Sequence, residues 1–301
     1  MTVTVAIPTY LRPDLLSRCL NGVLAQVPAP DEVLVIARRD DTEAWSTIDA
    51  AGTASAVRGV EVQEPGHVPP VRAALAATSS EFVAFIDDDA VPKPGWLAGL
   101  VDAMCDDSIV CVGGHVETPG AQPIIRPGAG TIRWYGQYIG NVASVEASHP
   151  FEVDSVMEMN WCWRTSVLRS LSFDPVLARD DASMYGLDLC LQAKAGGGRI
   201  VYTSAARVVH TPGPRHDGSI ARDDRRSHRS YGRNYTLIAL RRLRGIRRVA
   251  FVMWWWLVGE RGSYGLSTAA VDVIRGRAAP GTVAASFAGK AEGTRAWFRN
   301  R

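Results

Sequence analysis

The sequence predicts an α/β fold: a mostly parallel sheet flanked by helices, followed by a helical C-terminal tail. Three observations carry that expectation. Short apolar runs of strand length alternate with helix-periodic segments from Val3 to Val112, the pattern that builds a parallel sheet covered on both faces. The run Phe82-Val83-Ala84-Phe85-Ile86 passes directly into Asp87-Asp88-Asp89, as a buried strand does when its carboxyl end opens on a ligand crevice. From Ser227 onward the periodicity is helical.

The elements follow in order. Val3 to Ile7 reads as a buried strand ending at Pro8, and Pro13 sits in the first turn of a helix. That helix shows one apolar face through Leu15, Leu16, Cys19, Leu20, Val23 and Leu24. Val33–Ile36 is a second strand, Ala44–Ala51 a helix, Val60–Val62 a third strand and Val71–Ala77 an Ala-rich helix. After the strand that ends at Asp87 come a helix over Trp96–Met104 and a strand over Ile109–Val112. Residues 117–150 are rich in Gly and Pro and weakly periodic, a long functional loop region. Helices are expected near 227–244, 247–258, 266–275 and 282–298. The division this suggests is a domain over 1–215, then a basic helical region over 216–301.

The charge is divided in the same way. Residues 1–198 carry 13 Lys+Arg against 25 Asp+Glu, and residues 199–301 carry 20 against 6. An acidic catalytic part and a basic surface for an anionic partner follow. The five cysteines lack paired metal-ligand spacing and fit a reducing compartment. No charged start with a long apolar segment precedes Val3, so the expected location is cytoplasmic. Val249–Gly259 contains three adjacent tryptophans but is about half the ~20 apolar residues that span a bilayer. Arg241, Arg242, Arg244, Arg247 and Arg248 precede it. Tryptophan and arginine together suggest peripheral attachment to the anionic inner face of a cell membrane. A core helix with a solvated basic flank is the equal alternative. Nucleic-acid binding fits the tryptophans less well.

Three adjacent carboxylates repel, and burying them is costly unless a cation or strong donors neutralise them. A divalent metal shared with phosphates is the economical explanation, and an acidic turn after a strand is the plain one.

The ordered set Val5-Ala6-Ile7-Pro8-Thr9-Tyr10, Arg12-Pro13, Phe85-Ile86-Asp87-Asp88-Asp89, Asn160-Trp161-Cys162-Trp163-Arg164, Leu187-Asp188-Leu189-Cys190-Leu191 and His210 resembles the family 2 glycosyltransferases with the GT-A fold. The resemblance covers roughly residues 1–215, and the tail more loosely resembles members that make bacterial surface polysaccharides or glycolipids. It implies Mn²⁺ or Mg²⁺ held by Asp89 and His210 in a DXD-type motif. It also implies nucleotide contacts from Pro8, Thr9, Tyr10, Arg12, Asp40, Arg72, Asp87 and Asp88. The donor would be a nucleotide-diphosphate sugar, a UDP-sugar favoured, and the acceptor a saccharide or lipid-linked saccharide.

Two departures stand out. Relatives carry an Asp-Asp pair directly after the second strand; here Ala37-Arg38-Arg39 intervenes, so either Asp40 or Arg38 meets the nucleotide. Asp41 serves equally as a helix cap. The Glu-Asp pair that supplies the general base of inverting members falls on Tyr185-Gly186, leaving Asp188 as the base candidate, with Asp181 and Asp180 in reserve. Trp134 and Tyr135, with Trp161, are the aromatic candidates for the acceptor. The function expected is a metal-dependent inverting glycosyltransferase. A non-catalytic nucleotide-sugar or glycan-binding relative is the alternative, and a sugar-phosphate nucleotidyltransferase ranks below it.

Overall fold

The structure, a computed structural model, describes every residue except 53–55, 123, 215, 217–224, 261 and 300–301. It divides into two compact units. The first comprises Met1–Thr131, Ile139–Ser172 and Leu189–Asp217, and the second Ile132–Tyr138, Phe173–Asp188 and Gly218–Arg301. The expected boundary residue 215 lies outside the described residues. The second unit also takes two segments from earlier in the chain.

In the first unit the chain runs β1 (Val3–Thr9), α1 (Pro13–Leu24), β2 (Glu32–Arg38), α2 (Thr42–Gly52), β3 (Val57–Val62), α3 (Val68–Ala77) and β4 (Phe82–Ile86). Strands β3, β2, β1 and β4 lie side by side and parallel, Val5 opposite both Val33 and Ala84. This is the expected half, element for element. Every residue of β4 is buried, as its unbroken apolar run requires.

Past the acidic triplet come β5 (Ala90–Pro92), α4 (Trp96–Asp102), β6 (Ile109–Glu117), a 3₁₀ turn at Val142–Ser144, β7 (Phe151–Val153), β8 (Asn160–Arg164) and α5 (Thr165–Ser170). Then α6 (Tyr185–Ala195) leads to the long β9 (Arg199–His210). The sheet continues from β4 through β8, β6 and β9 to β5, with β7 also on β9. Here the pairing is mixed: β8 is antiparallel to β4 and β6, and β5 to β9, while β6 and β9 are parallel.

Asn160 pins this half. Buried on β8, it accepts from Trp96 Nε1 at 2.8 Å and donates to the carbonyls of His115 and Ala206 at 3.0 and 3.1 Å. One amide thereby joins α4, β6 and β9 beside Ile86, its partner in register on β4.

The second unit is helical: α7 (Arg225–Arg242), α8 (Gly245–Leu257), the small hairpin β10 (Gly259–Glu260) and β11 (Ser263–Tyr264), α9 (Leu266–Ile274) and α10 (Pro280–Arg299). Helix α10 lays Ser286, Gly289 and Gly293 against α7. A Cβ on Gly289 would stand 2.1 Å from the Arg229 carbonyl and one on Gly293 2.3 Å from that of Arg233. Only glycine permits that approach. Tyr235, Phe251 and Trp255 form the aromatic centre, with Tyr235 and Trp255 edge to face at 5.1 Å. The tryptophan triplet divides as helical geometry demands: Trp255 is buried, while Trp254 and Trp256 are half-buried. Among the described residues no helix is long and apolar enough to cross a membrane.

Candidate active site

The acidic triplet leaves the carboxyl end of β4, and strand register decides what meets it. β5 begins at Ala90, whose partner on β9 is His210. The Thr211 N–H also donates to the Asp89 carbonyl at 2.9 Å. These bonds bring His210 Nε2 to 3.4 Å from Asp89 Oδ1, a long contact, and that oxygen is buried with no well-aligned hydrogen bond. The other oxygen accepts from the Gly213 N–H at 3.2 Å. A Cβ on Gly213 would stand 2.4 Å from Leu15 Cδ1, so a side chain here would have to push the leucine methyl aside.

Arg12 comes from the β1–α1 turn. Its guanidinium reaches Asp88 at 2.8 Å and Asp89 at 3.2 Å. The Thr9 hydroxyl donates to Asp88 at 2.7 Å. That turn has an unusual conformation: Leu11 has φ 54°, in the left-handed region that non-glycine residues rarely enter. Its N–H is held by buried Asp41, which also accepts from the Ala44 N–H at 3.1 Å and so caps α2. Asp41 is therefore the helix cap, and it shapes the loop that presents Arg12. Sequence reading missed the strained Leu11 and the Gly213 contact; neither has a pattern in the chain.

The three carboxylates differ in charge preference. Burial pushes Asp88 up to about 7 even though Arg12 and the Thr9 hydrogen bond oppose it. Burial and the neighbouring Asp89 also raise Asp87. Burial raises Asp89 too, but His210, the Gly213 N–H and Arg12 outweigh it and leave Asp89 below the usual carboxylate range. Asp89 is the ionised member of the set, beside an imidazole. Among the described residues no group of three or more His, Cys, Asp or Glu converges on a point. Asp89 and His210 could hold a divalent ion only as a pair, with the rest of its shell coming from outside the protein.

Beside this centre, Arg38, Tyr10 and Asp40 form one cluster. The Arg38 guanidinium lies 4.2 Å from the Tyr10 ring centroid and 3.0 Å from Asp40, which the Tyr10 hydroxyl also reaches at 3.2 Å. Pro8 is half-buried at the end of β1 opposite Ile36. Arg72 is exposed on α3. His67, ahead of α3, opposes the upward shift that burial imposes on Asp87, and it was not anticipated.

The remaining expected residues are placed as follows. Trp161 is fully buried on β8, tilted against Phe85 and edge-on to Trp163. Its expected stacking against an acceptor is corrected by that burial, since no ring face is open to a saccharide. In the second unit Trp134 is exposed and meets Tyr135 edge to face at 5.7 Å. Asp188, in the first turn of α6, is buried and paired with Arg242 at 3.1 Å. Asp180 pairs with Arg233 at 2.7 Å and keeps 41 % of its side chain exposed. Asp181 accepts from the Ser183 N–H at 3.2 Å and the Ser227 hydroxyl at 3.1 Å.

Residues 4–152, which include the parallel half of the sheet and the acidic triplet, match the sequence model of glycosyl transferase family 2. The chain belongs to that family. The pre-mycofactocin glycosyltransferase of Mycobacterium tuberculosis is 28 % identical over 139 residues, covering 45 % of this chain and 28 % of that protein. The chain thus spans well under half of this relative. The mannosyltransferase PcManGT of Pyrobaculum calidifontis, solved with GDP-Man and Mn²⁺, superposes with a TM-score of 0.61 at 15 % identity, over 97 % of this chain and 86 % of that one. S. aureus TarS 1–349 with UDP-GlcNAc gives 0.58 at 16 % identity, over 85 % and 73 %. The family 2 chain therefore has the α/β fold of GT-A glycosyltransferases.

Proposed function

We propose that this family 2 chain moves a sugar from a nucleotide-diphosphate sugar, a UDP-sugar favoured, to a saccharide or lipid-linked acceptor, with inversion at the anomeric carbon. One observation carries the reading. Asp89, the carboxylate held ionised, lies 3.4 Å from His210 with a buried oxygen that the protein leaves poorly bonded. Asp89 and His210 would hold Mn²⁺ or Mg²⁺ there, and the ion would supply positive charge to the departing diphosphate. An imidazole nitrogen beside a carboxylate favours Mn²⁺ over Ca²⁺. Mn²⁺ in the PcManGT complex supports the same choice.

The chain's own residues have distinct tasks in this reading. Arg12 holds Asp88 and Asp89 in place and neutralises them while no diphosphate is present. Tyr10, Arg38 and Asp40 offer the nucleobase a stacking face and hydrogen-bonding groups, with Pro8, Thr9, Asp87 and Arg72 around the nucleotide. The acceptor hydroxyl needs a carboxylate to take its proton as it attacks opposite the diphosphate. Among Asp188, Asp181 and Asp180, exposure favours Asp180, because Asp188 is buried against Arg242. Trp134 and Tyr135 provide aromatic surface for the acceptor. Residues 1–215 form the transferase domain and the basic helices provide the side facing an anionic membrane surface, at the cytoplasmic leaflet.

Titration calorimetry of UDP, GDP, CDP and dTDP with Mn²⁺, then with EDTA, tests this. One nucleotide should bind in the micromolar range, and both EDTA and Asp89→Ala should weaken it at least tenfold. Folded protein that binds none of the four overturns the proposal. Tight metal-dependent binding without transfer to any acceptor identifies the non-catalytic alternative instead.

A further inference from the structure

The second unit contains a cavity of about 380 Å³ among α7, α8 and α10. Leu240, Val252, Met253, Trp256, Trp297 and Phe298 are among its lining residues. Two threonines also line it, yet neither presents a polar group. The Thr236 hydroxyl donates to the Gly232 carbonyl at 2.6 Å and accepts from Trp255 Nε1 at 2.7 Å. The Thr294 hydroxyl donates to the Lys290 carbonyl at 2.9 Å. Apart from Arg248, what remains of the lining is mainly methyl, methylene and ring surface, which holds hydrocarbon.

The rim is apolar as well. Val249 is 53 % exposed, Met253 58 % and Phe298 62 %. Their neighbour Leu257 extends the same outer side of α8, whose inner side buries Phe251 and Trp255. A helix apolar on both sides suits a lipid phase better than water.

Charge then narrows the occupant. Arg248 lines the cavity and its guanidinium lies 5.0 Å from the Trp297 ring centroid. Arg244 and Arg247 are exposed at the amino end of α8, and Arg295 and Arg299 flank Trp297 on α10. Among the described residues none of these five pairs with a carboxylate, and residues 225–259 contain no Asp or Glu. An apolar cavity with a purely basic edge matches a chain carrying a phosphate at one end.

We infer that this cavity binds one acyl chain of an anionic membrane phospholipid, with the arginines at its edge meeting the phosphate. Peripheral attachment then comes from one captured chain together with surface charge, two signals rather than one. The inference rests on the membrane side of the reading above and is independent of the donor chemistry.

Delipidated full chain is titrated with octyl and dodecyl phosphate below their micelle concentrations, with inorganic phosphate as control, following tryptophan fluorescence. Each buried methylene should strengthen binding about fourfold, so dodecyl phosphate, with four more of them, should bind roughly 200-fold tighter than octyl phosphate. Vesicles of phosphatidylcholine with 30 % dibrominated phosphatidylglycerol should quench the tryptophans and sediment the protein; pure phosphatidylcholine should retain at least tenfold less. Val252→Trp fills the cavity and Met253→Glu places a carboxylate at its exposed rim; each should weaken dodecyl phosphate at least tenfold with unchanged melting. Equal affinity for both chain lengths, no binding to either, or no effect of the two variants overturns the inference. A concentration-dependent dimer that Met253→Glu abolishes, without lipid binding, assigns the face to a second copy and also overturns it. Asp89→Ala should bind dodecyl phosphate like the parent chain, so failure of the nucleotide site and failure of the lipid site are read separately.

Discussion

Replacing Asp88 by Asn should make the folded protein markedly more stable above pH 7 and leave the difference small near pH 4. Asp88 has a fully buried side chain, 2.8 Å from Arg12 and 2.7 Å from the Thr9 hydroxyl. Burial raises its pKa from 3.8 to about 7 in spite of both partners. The sign follows from proton uptake. Between these two values the folded chain keeps a proton that the unfolded chain has released, so stability falls as pH rises, and the full penalty applies above 7. At 1.36 kcal/mol per pH unit the penalty is about 4 kcal/mol. Asparagine never ionises, and its amide can still accept from Arg12 or Thr9. Urea unfolding of both proteins in EDTA at pH 4.5, 6, 7.5 and 8.5 measures the effect. The stability difference should grow in favour of Asp88→Asn by roughly 3 kcal/mol across that range. Parallel profiles, within about 1 kcal/mol at every pH, would show that Asp88 is not the strained carboxylate.

Further outcomes follow from other polar and charged groups. Lys290 is enclosed beneath the Trp255 and Tyr264 carbonyls, and burial lowers its pKa to about 7 although Glu260 opposes the shift. The unfolded chain then holds the extra proton between pH 7 and 10.5, so stability should rise with pH over that window by up to about 5 kcal/mol. Lys290→Met should flatten that rise in denaturant titrations, and an unchanged slope would refute the assignment. Asn160→Ala strands the Trp96 N–H and the His115 and Ala206 carbonyls, and should lower stability by about 3–5 kcal/mol in the same assay. Asp180→Asn should cut transfer at least ~100-fold with an unchanged melting midpoint, the usual scale of general-base loss. Asp188→Asn should lower stability first, and the reverse ranking would return the base role to Asp188.

The parallel half of the fold was legible because its strands are buried on both faces and carry unbroken apolar runs, β4 most clearly. β7 and β8 were harder to read. β7 is three residues long, and the alternation in β8 is masked by Trp161 and Trp163, which are both buried. Trp161 was misread for the same reason: a tryptophan near the end of a strand looks identical in sequence whether its ring faces a crevice or a neighbouring strand. The pairing of Asp89 with His210 was expected from family likeness. Its physical cause, the Ala90–His210 register across β5 and β9, links positions 120 residues apart and leaves no local signal. Leu11 illustrates a further limit, because backbone strain is set by the tertiary partner Asp41 and not by leucine itself.

The arrangement of the acidic triplet also explains why the protein keeps a destabilising cluster. The three carboxylates follow one another along the chain, so their mutual repulsion cannot be relieved by moving elements apart. The fold instead assigns each a different electrostatic setting. Asp88 is tied to Thr9 and Arg12, Asp89 to Gly213, Arg12 and His210, and Asp87 is left to burial. Only Asp89 ends up held in its charged form. A cation entering beside Asp89 would add positive charge next to Asp87 and Asp88, lower both pKa values and release the protons that burial imposes. Metal binding at this site should therefore be coupled to proton release near pH 7, through Asp88, and the stability withheld in the free protein should be regained when the site is filled.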